Sequence, residues 1–162
     1  HTMNVFGQRQ HPEKFIPMCI RKVNDGDPIT IHSDSTRTIP GSRFYIHAAD
    51  VADAMQFLLE LDDSKLEADY GDAKCPKFNL VGKQEINNLQ LAQIIADAQG
   101  KELKYEMMDF HSARPGHDLR YALDGDYMRK LGWEPKVELT ERIGEVVDWT
   151  LQNDRWLRCE DE

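Results

Sequence analysis

The apolar residues of this chain change their spacing several times, and each change marks an element. From Pro12 to Asn24, the residues Phe15, Ile16, Cys19, Ile20 and Val23 recur at helical intervals, with Gly26 just past the end, so the spacing predicts a helix. Pro17 inside it requires a kink or a start later than Pro12, because proline has no N–H for an interior turn. Ahead of this helix, Thr2 to Phe6 reads as a strand ending at Gly7, and behind it Ile29-Thr30-Ile31 alternates as a second strand. A polar loop with a Pro-Gly pair, Ser33 to Ser42, leads to a short strand at Arg43 to Ile46. Asp50 is placed to cap a helix carrying Val51, Ala54, Met55, Leu58 and Leu59. Lys77 to Val81 reads as a strand, and Asn87 or Asn88 as the cap of a helix with Leu89, Leu91, Ile94, Ile95 and Ala98, closed by Gly100. Leu103 to Met107 is strand-like. Asp124 is placed to cap a short helix ended by Gly132, and Thr140 to cap the last helix, whose face is Ile143, Val146, Val147, Thr150 and Leu151. Strands alternating with helices predict an α/β fold.

Composition narrows the class. The 162 residues suit one domain, residues 1–162, with 40% hydrophobic and 30% charged side chains. No apolar run approaches the roughly 18 residues of a membrane span, so the expectation is a cytoplasmic protein without membrane contact. Asp62 to Pro76 reads as a solvated acidic connector. Cys19, Cys75 and Cys159 form no C-x-x-C pair and are expected to be reduced, incidental thiols. A net charge of -9 argues against nucleic acid, which is held by clustered Lys and Arg. A small anion is compatible, because two or three local arginines outweigh a distant screened field.

The stretch Arg114-Pro115-Gly116-His117-Asp118, followed by Arg120 and Tyr121, concentrates such chemistry. A guanidinium fork matches a phosphate, and a Pro-Gly bend lets neighbouring side chains converge. The bland alternative is a salt-bridged surface turn. Asp109, His111, His117 and Asp118 include no helical i, i+4 pair, so no metal is expected; His47 and the tryptophans Trp133, Trp149 and Trp156 read as packing residues. The chain has no G-x-G-x-x-G, G-x-x-x-x-G-K, H-E-x-x-H or G-x-S-x-G motif.

Several short motifs follow one another in a recognisable order. Asn4-Val5-Phe6-Gly7-Gln8-Arg9-Gln10 resembles the N-V-Y-G-P-R-Q segment of extended short-chain dehydrogenase/reductases that act on nucleotide sugars, and Pro12-Glu13-Lys14-Phe15-Ile16-Pro17 resembles the F-P-E-K-L-I-P of their dTDP-glucose 4,6-dehydratase branch. Arg43-Phe44-Tyr45-Ile46-His47 through Asp50-Val51-Ala52-Asp53-Ala54 resembles R-D-W-L-Y-V-E-D-H-A-R-A. Phe78-Asn79-Leu80 with Glu85 and Asn88-Leu89 resembles Y-N-I-G-G and E-x-x-N-L; Arg114 to Tyr121 resembles R-P-G-H-D-x-R-Y, and Leu131-Gly132-Trp133-Glu134-Pro135 completes the series.

The resemblance implies the small, mixed α/β substrate-binding C-terminal part of such an enzyme. The Rossmann half would be absent, together with its glycine-rich loop for NAD and its Tyr-x-x-x-Lys pair, and strands of this chain would complete the missing sheet. By position, Asn4 would donate to a diphosphate, Lys14 and Phe15 would contribute backbone contacts, and Thr30, Ile31 and His32 would flank the nucleobase. Arg43 and Arg114 match two phosphate-gripping arginines, Asn88 a contact near the base or ribose, and His117 a further ligand contact. No residue of this chain is expected to be catalytic. Val5, Gln8, His32 and the longer loop 33–42 depart from the pattern, leaving the base and sugar open among dTDP-, UDP-, GDP- and CDP-linked hexoses. The expected role is gripping the nucleotide diphosphate for an NAD-dependent 4,6-dehydratase or epimerase. The alternative is a non-catalytic binding or assembly module, or a split-gene half pairing with a separate Rossmann chain; a homo-oligomer is also expected.

Overall fold

The computed structural model describes residues 1–66, 75–109 and 118–158. Helix α1, Phe15–Asp25, starts at the N-cap Lys14, later than Pro12. Pro17 is then its third residue, where the missing N–H has no intrahelical partner to lose, so no kink is required. The helix ends on Gly26 at φ 78°, a left-handed conformation suited to glycine. Helix α3, Asn88–Ala98, begins with a reciprocal capping box between Asn87 and Gln90. Helix α5, Leu139–Leu151, buries Ile143, Val146, Val147 and Thr150, as its periodicity predicts. These three helices pack together over a parallel pair, β2 (Ile29–Ser33) and β6 (Tyr105–Asp109). Ile16, Cys19, Ile20, Ile29, Ile31, Leu91, Ile95, Ile143 and Val147 form the main core.

Two other small sheets adjoin it. Strand β1, Val5–Phe6, runs parallel to β4, Ile46–His47. Strand β3, Ser42–Phe44, lies between antiparallel β5, Glu85–Asn87, and parallel β7, Arg120–Tyr121. Helices α2, Ala48–Glu60, and α4, Asp126–Leu131, enclose a second core of Ile46, Ala54, Leu80, Met128 and Trp133.

The expected strand at Arg43 to Ile46 is therefore two strands in different sheets, broken at Tyr45. Gly82 lies against that break, and a Cβ there would fall 2.0 Å from the Tyr45 carbonyl oxygen. Lys77 to Val81 is not a strand: only Leu80 makes a bridge, to Thr2, because a strand needs a continuous partner edge as well as an apolar centre. Strand β5 has no alternating apolar pattern and exists through its pairing with β3.

Helix caps also differ from expectation. His47, not Asp50, caps α2, with Nδ1 accepting from the Ala49 N–H at 3.2 Å. Asp50 sits in the first turn and takes a 2.9 Å bond from Arg142. Helix α5 begins one residue before Thr140, with Glu138 as N-cap and no side-chain cap bond. Asp124 accepts from the Asp126 N–H at 2.7 Å from just outside the cap residue Gly125.

Trp133 is buried and donates to Asp53 at 2.8 Å, while Trp149 and Trp156 are half-buried with rings 6.3 Å apart. Burial pushes the Cys19 thiol up, keeping it protonated. No helix among the described residues is long and apolar enough to cross a membrane.

Candidate functional site

A cavity of about 460 Å³ opens where the three sheets meet the starts of two helices. Its walls come from Asn4, Val5 and Phe6 of the β1 region, Gln10, Lys14, Phe15 and Ile16 around the start of α1, and His32 of β2. Gly41, Arg43, Tyr45, Asn88, Asp118 and Leu119 complete them. Both α1 and α3 begin at this cavity. At α1 no side chain caps the first N–H groups, whereas at α3 those of Asn88 and Gln90 are taken by the Gly41 carbonyl and Asn87 Oδ1, so α1 offers donors together with its dipole and α3 chiefly its dipole, and both favour an anion. No acidic side chain occupies the first turn of either helix, and Lys14 adds a cation at the start of α1.

Arg43 is fixed by the protein itself. Its Nη1 donates to the carbonyls of Ser42 at 2.6 Å and Leu119 at 2.8 Å, and Nη2 donates to the Asp118 carbonyl at 3.3 Å. The guanidinium lies 4.4 Å from the centre of the Tyr121 ring. Most of its fork thus ties β3 to the segment entering β7, and a ligand would meet an already oriented plane. The expectation of a phosphate grip did not anticipate this structural duty.

Gly41 joins the walls: its N–H donates to the His32 carbonyl at 3.0 Å, and its carbonyl accepts from the Asn88 N–H at 2.9 Å. A Cβ there would stand 3.1 Å from the Leu119 carbonyl and 3.6 Å from both Arg43 Nη1 and Asn88 Nδ2, filling the space between two cavity donors. The Tyr45 hydroxyl donates to Asn88 Oδ1 at 2.9 Å. Burial pushes the Tyr45 phenol up, against the smaller opposing effect of Arg43, so the hydroxyl stays protonated. Asn4 adopts a left-handed φ of 51°, which asparagine tolerates, and its amide donates to the Phe44 carbonyl at 3.3 Å.

Of the residues singled out in the sequence, Asn4, Lys14, Phe15, His32, Arg43 and Asn88 line this cavity. Strand alternation turns Ile31 into the core, where it is fully buried. Thr30 donates instead to Glu106 at 3.1 Å across the β2–β6 pair, outside the lining. Arg114 and His117 lie outside the described residues, as does His111. Gly41, Tyr45, Gln10 and Leu119 were not singled out as site residues; the Pro40-Gly41 pair was a visible signal for one of them, whereas the others look like strand or loop filler. Among the described residues, no group of three His, Cys, Asp or Glu side chains could hold a metal ion.

Fold and cavity define a mixed α/β protein with a donor-lined cavity at the start of α1. Residues 1–70 match the NAD dependent epimerase/dehydratase family. The chain is 31% identical over 153 residues to the low-salt glycan biosynthesis protein Agl12 of Haloferax volcanii, covering 94% of this chain and 44% of that protein. It is 30% identical over 154 residues to a dTDP-glucose 4,6-dehydratase of Streptomyces niveus, covering 94% and 41%. Among solved structures, the dTDP-glucose 4,6-dehydratase DesIV of Streptomyces venezuelae, with NAD bound, superposes with a TM-score of 0.70 at 28% identity, over 96% of this chain and 44% of that one. UDP-glucose 4-epimerase of Thermus thermophilus shares the fold, with a TM-score of 0.72 at 24% identity, over 94% and 46%. These matches support a likeness to the extended short-chain dehydrogenase/reductases of the nucleotide-sugar epimerase/dehydratase kind. The chain spans less than half the length of these relatives.

Proposed function

We propose that the cavity receives the diphosphate of a nucleotide sugar, and that this chain is the C-terminal, substrate-binding part of an NAD-dependent nucleotide-sugar 4,6-dehydratase or epimerase, folding as one domain over residues 1–162. The observation carrying this is the convergence of two helix starts, Lys14, the oriented Arg43 and the Asn4 and Asn88 amides on one cavity. Such donors neutralise and orient a diphosphate, so binding energy from the nucleotide places the sugar for reaction. Arg114 and His117 join the proposal through their match to the family motif.

NAD belongs to the proposed whole protein, where it supplies reversible hydride transfer. The residues of this chain do not fit it: each strand-to-helix connection among the described residues holds at most one glycine, where a pyrophosphate of a dinucleotide needs a glycine-rich turn. The division of labour is therefore binding here and hydride chemistry elsewhere.

Titrating dTDP, UDP and GDP into the chain by calorimetry tests the proposal. At least one should bind, and Arg114→Ala should weaken it roughly tenfold or more. Absence of binding by all three overturns the assignment of the cavity; turnover of a nucleotide sugar by this polypeptide alone overturns the division of labour.

A second reading, pairing with a separate Rossmann chain or another copy, is favoured by the two-stranded β1–β4 sheet and the outward Met55 and Leu59 of α2, 58% and 87% exposed. Sedimentation of a stable, ligand-binding monomer would rule it out.

A further inference from the structure

Asn88 can serve an anion only with its amide turned the right way. Its Nδ2 is a donor and its Oδ1 an acceptor, and exchanging them would present a carbonyl oxygen to the ligand. The capping box at Asn87 and Gln90 fixes the backbone, and the Asn88 N–H bond to Gly41 anchors the first residue of α3, but neither sets the amide. The contact that does is the 2.9 Å bond from the Tyr45 hydroxyl to Asn88 Oδ1. With Oδ1 engaged, Nδ2 is directed at the gap over Gly41, beside Arg43 Nη1, whose own two N–H groups are held by the Ser42 and Leu119 carbonyls, so at this gap Asn88 supplies the donor and Arg43 the charge. That gap is open because residue 41 has no side chain.

We propose that Tyr45 is a positioning residue: it orients the Asn88 amide so that Nδ2, and not Oδ1, faces the cavity beside the positive charge of Arg43 and donates to a phosphate oxygen of a nucleoside diphosphate. The inference rests on the diphosphate reading of the cavity. Tyr45 suits the task for two reasons. It stands at the single-residue break between β3 and β4, where its backbone carbonyl passes so close to Gly82 that a Cβ there would fall 2.0 Å from the oxygen, which fixes where its side chain leaves the chain. Its phenol remains a donor at any physiological pH, because burial pushes its ionisation up.

The test uses the full chain with dTDP and UDP as probes and thymidine and uridine as controls without phosphate. Tyr45→Phe removes the hydroxyl and keeps the ring. It should weaken diphosphate binding roughly fivefold or more and leave nucleoside binding unchanged. In a double-mutant cycle with Asn88→Ala, the Tyr45→Phe effect should vanish once the amide is gone. Additive effects in that cycle, or equal losses for nucleoside and diphosphate, overturn the inference while the diphosphate reading stands. NMR of the Asn88 side-chain amide in the ligand-free chain gives a readout independent of any ligand: its two protons stay resolved in both chains, because rotation about the amide C–N bond is slow, but 15N relaxation should show a rigid Nδ2 in the wild type and a mobile one in Tyr45→Phe. An amide unchanged by Tyr45→Phe overturns the inference, and failure of the wild type to bind dTDP or UDP overturns the diphosphate reading on which it rests.

Discussion

Substitution of Arg43 by lysine separates charge from geometry at this site. The change keeps one positive charge beside the cavity but replaces a planar fork by a point donor on a flexible stem. In the wild type that fork holds the carbonyls of Ser42, Leu119 and Asp118 at 2.6, 2.8 and 3.3 Å and lies over Tyr121 at 4.4 Å. An ammonium can satisfy at most part of this set, because the carbonyls come from two segments 75 and more residues apart and the ring contact needs a flat cation. Losing two charge-assisted bonds in a partly solvated setting, each at the low end of its range, and most of the ring contact gives a loss of about 3 to 4 kcal/mol. For a domain of this size that lowers the midpoint of thermal unfolding by roughly 6 to 15 °C. Scanning calorimetry reads the stability, and titration with dTDP and UDP reads the site. Binding should fall together with stability, because the segment that enters β7 loses its tie to β3. Arg114→Ala, by contrast, should weaken binding without a comparable fall in stability. An Arg43→Lys chain that unfolds within about 0.5 kcal/mol of wild type and binds either nucleotide equally well would refute the dual role assigned to this side chain.

Three further outcomes follow from the packing. Gly82→Ala places a methyl group 2.0 Å from the Tyr45 carbonyl oxygen, backbone against side chain with no flexible end to yield, so urea unfolding should show a loss of about 2 kcal/mol or more; a neutral result would contradict the close approach. Asn87→Ala removes the capping box of α3 and should cost about 1 kcal/mol in the same assay, with Asn87→Ser recovering most of it. His47 is held below its ordinary value of 6.5, first by burial and then by the charge of Arg142, against opposing effects of Asp50 and Glu145. Its folded-state value lies below the unfolded one, so its contribution is complete above about pH 6.5 and declines as the pH falls through the folded value. Stability should therefore fall between pH 7 and pH 5 more steeply in the wild type than in His47→Asn, which keeps a cap acceptor and does not titrate; parallel profiles would refute the assignment.

The sequence by itself determined the helices and, in all but α2, their buried faces; the face expected for α2 includes Met55 and Leu59, which are exposed. In α1, α3 and α5 the apolar residues recur at helical spacing, and a helix closes its own hydrogen bonds, so periodicity within one segment is enough to specify it. It also carried the likeness to nucleotide-sugar epimerases and dehydratases, through short motifs in a fixed order. The tertiary structure alone decided the rest. Residues 77–81 have the composition of a strand but only a bridge as partner, whereas β5 lacks the pattern and pairs with β3, because strand formation is a property of two edges. The cap of α2 fell to His47 rather than Asp50 because Arg142, 92 positions away, claims the carboxylate. The same holds at the site. Sequence marked Arg43 and Asn88 as binders, yet the Leu119 and Asp118 carbonyls that help orient one and the phenol that orients the other come from contacts 43 to 76 residues apart, which no local pattern encodes.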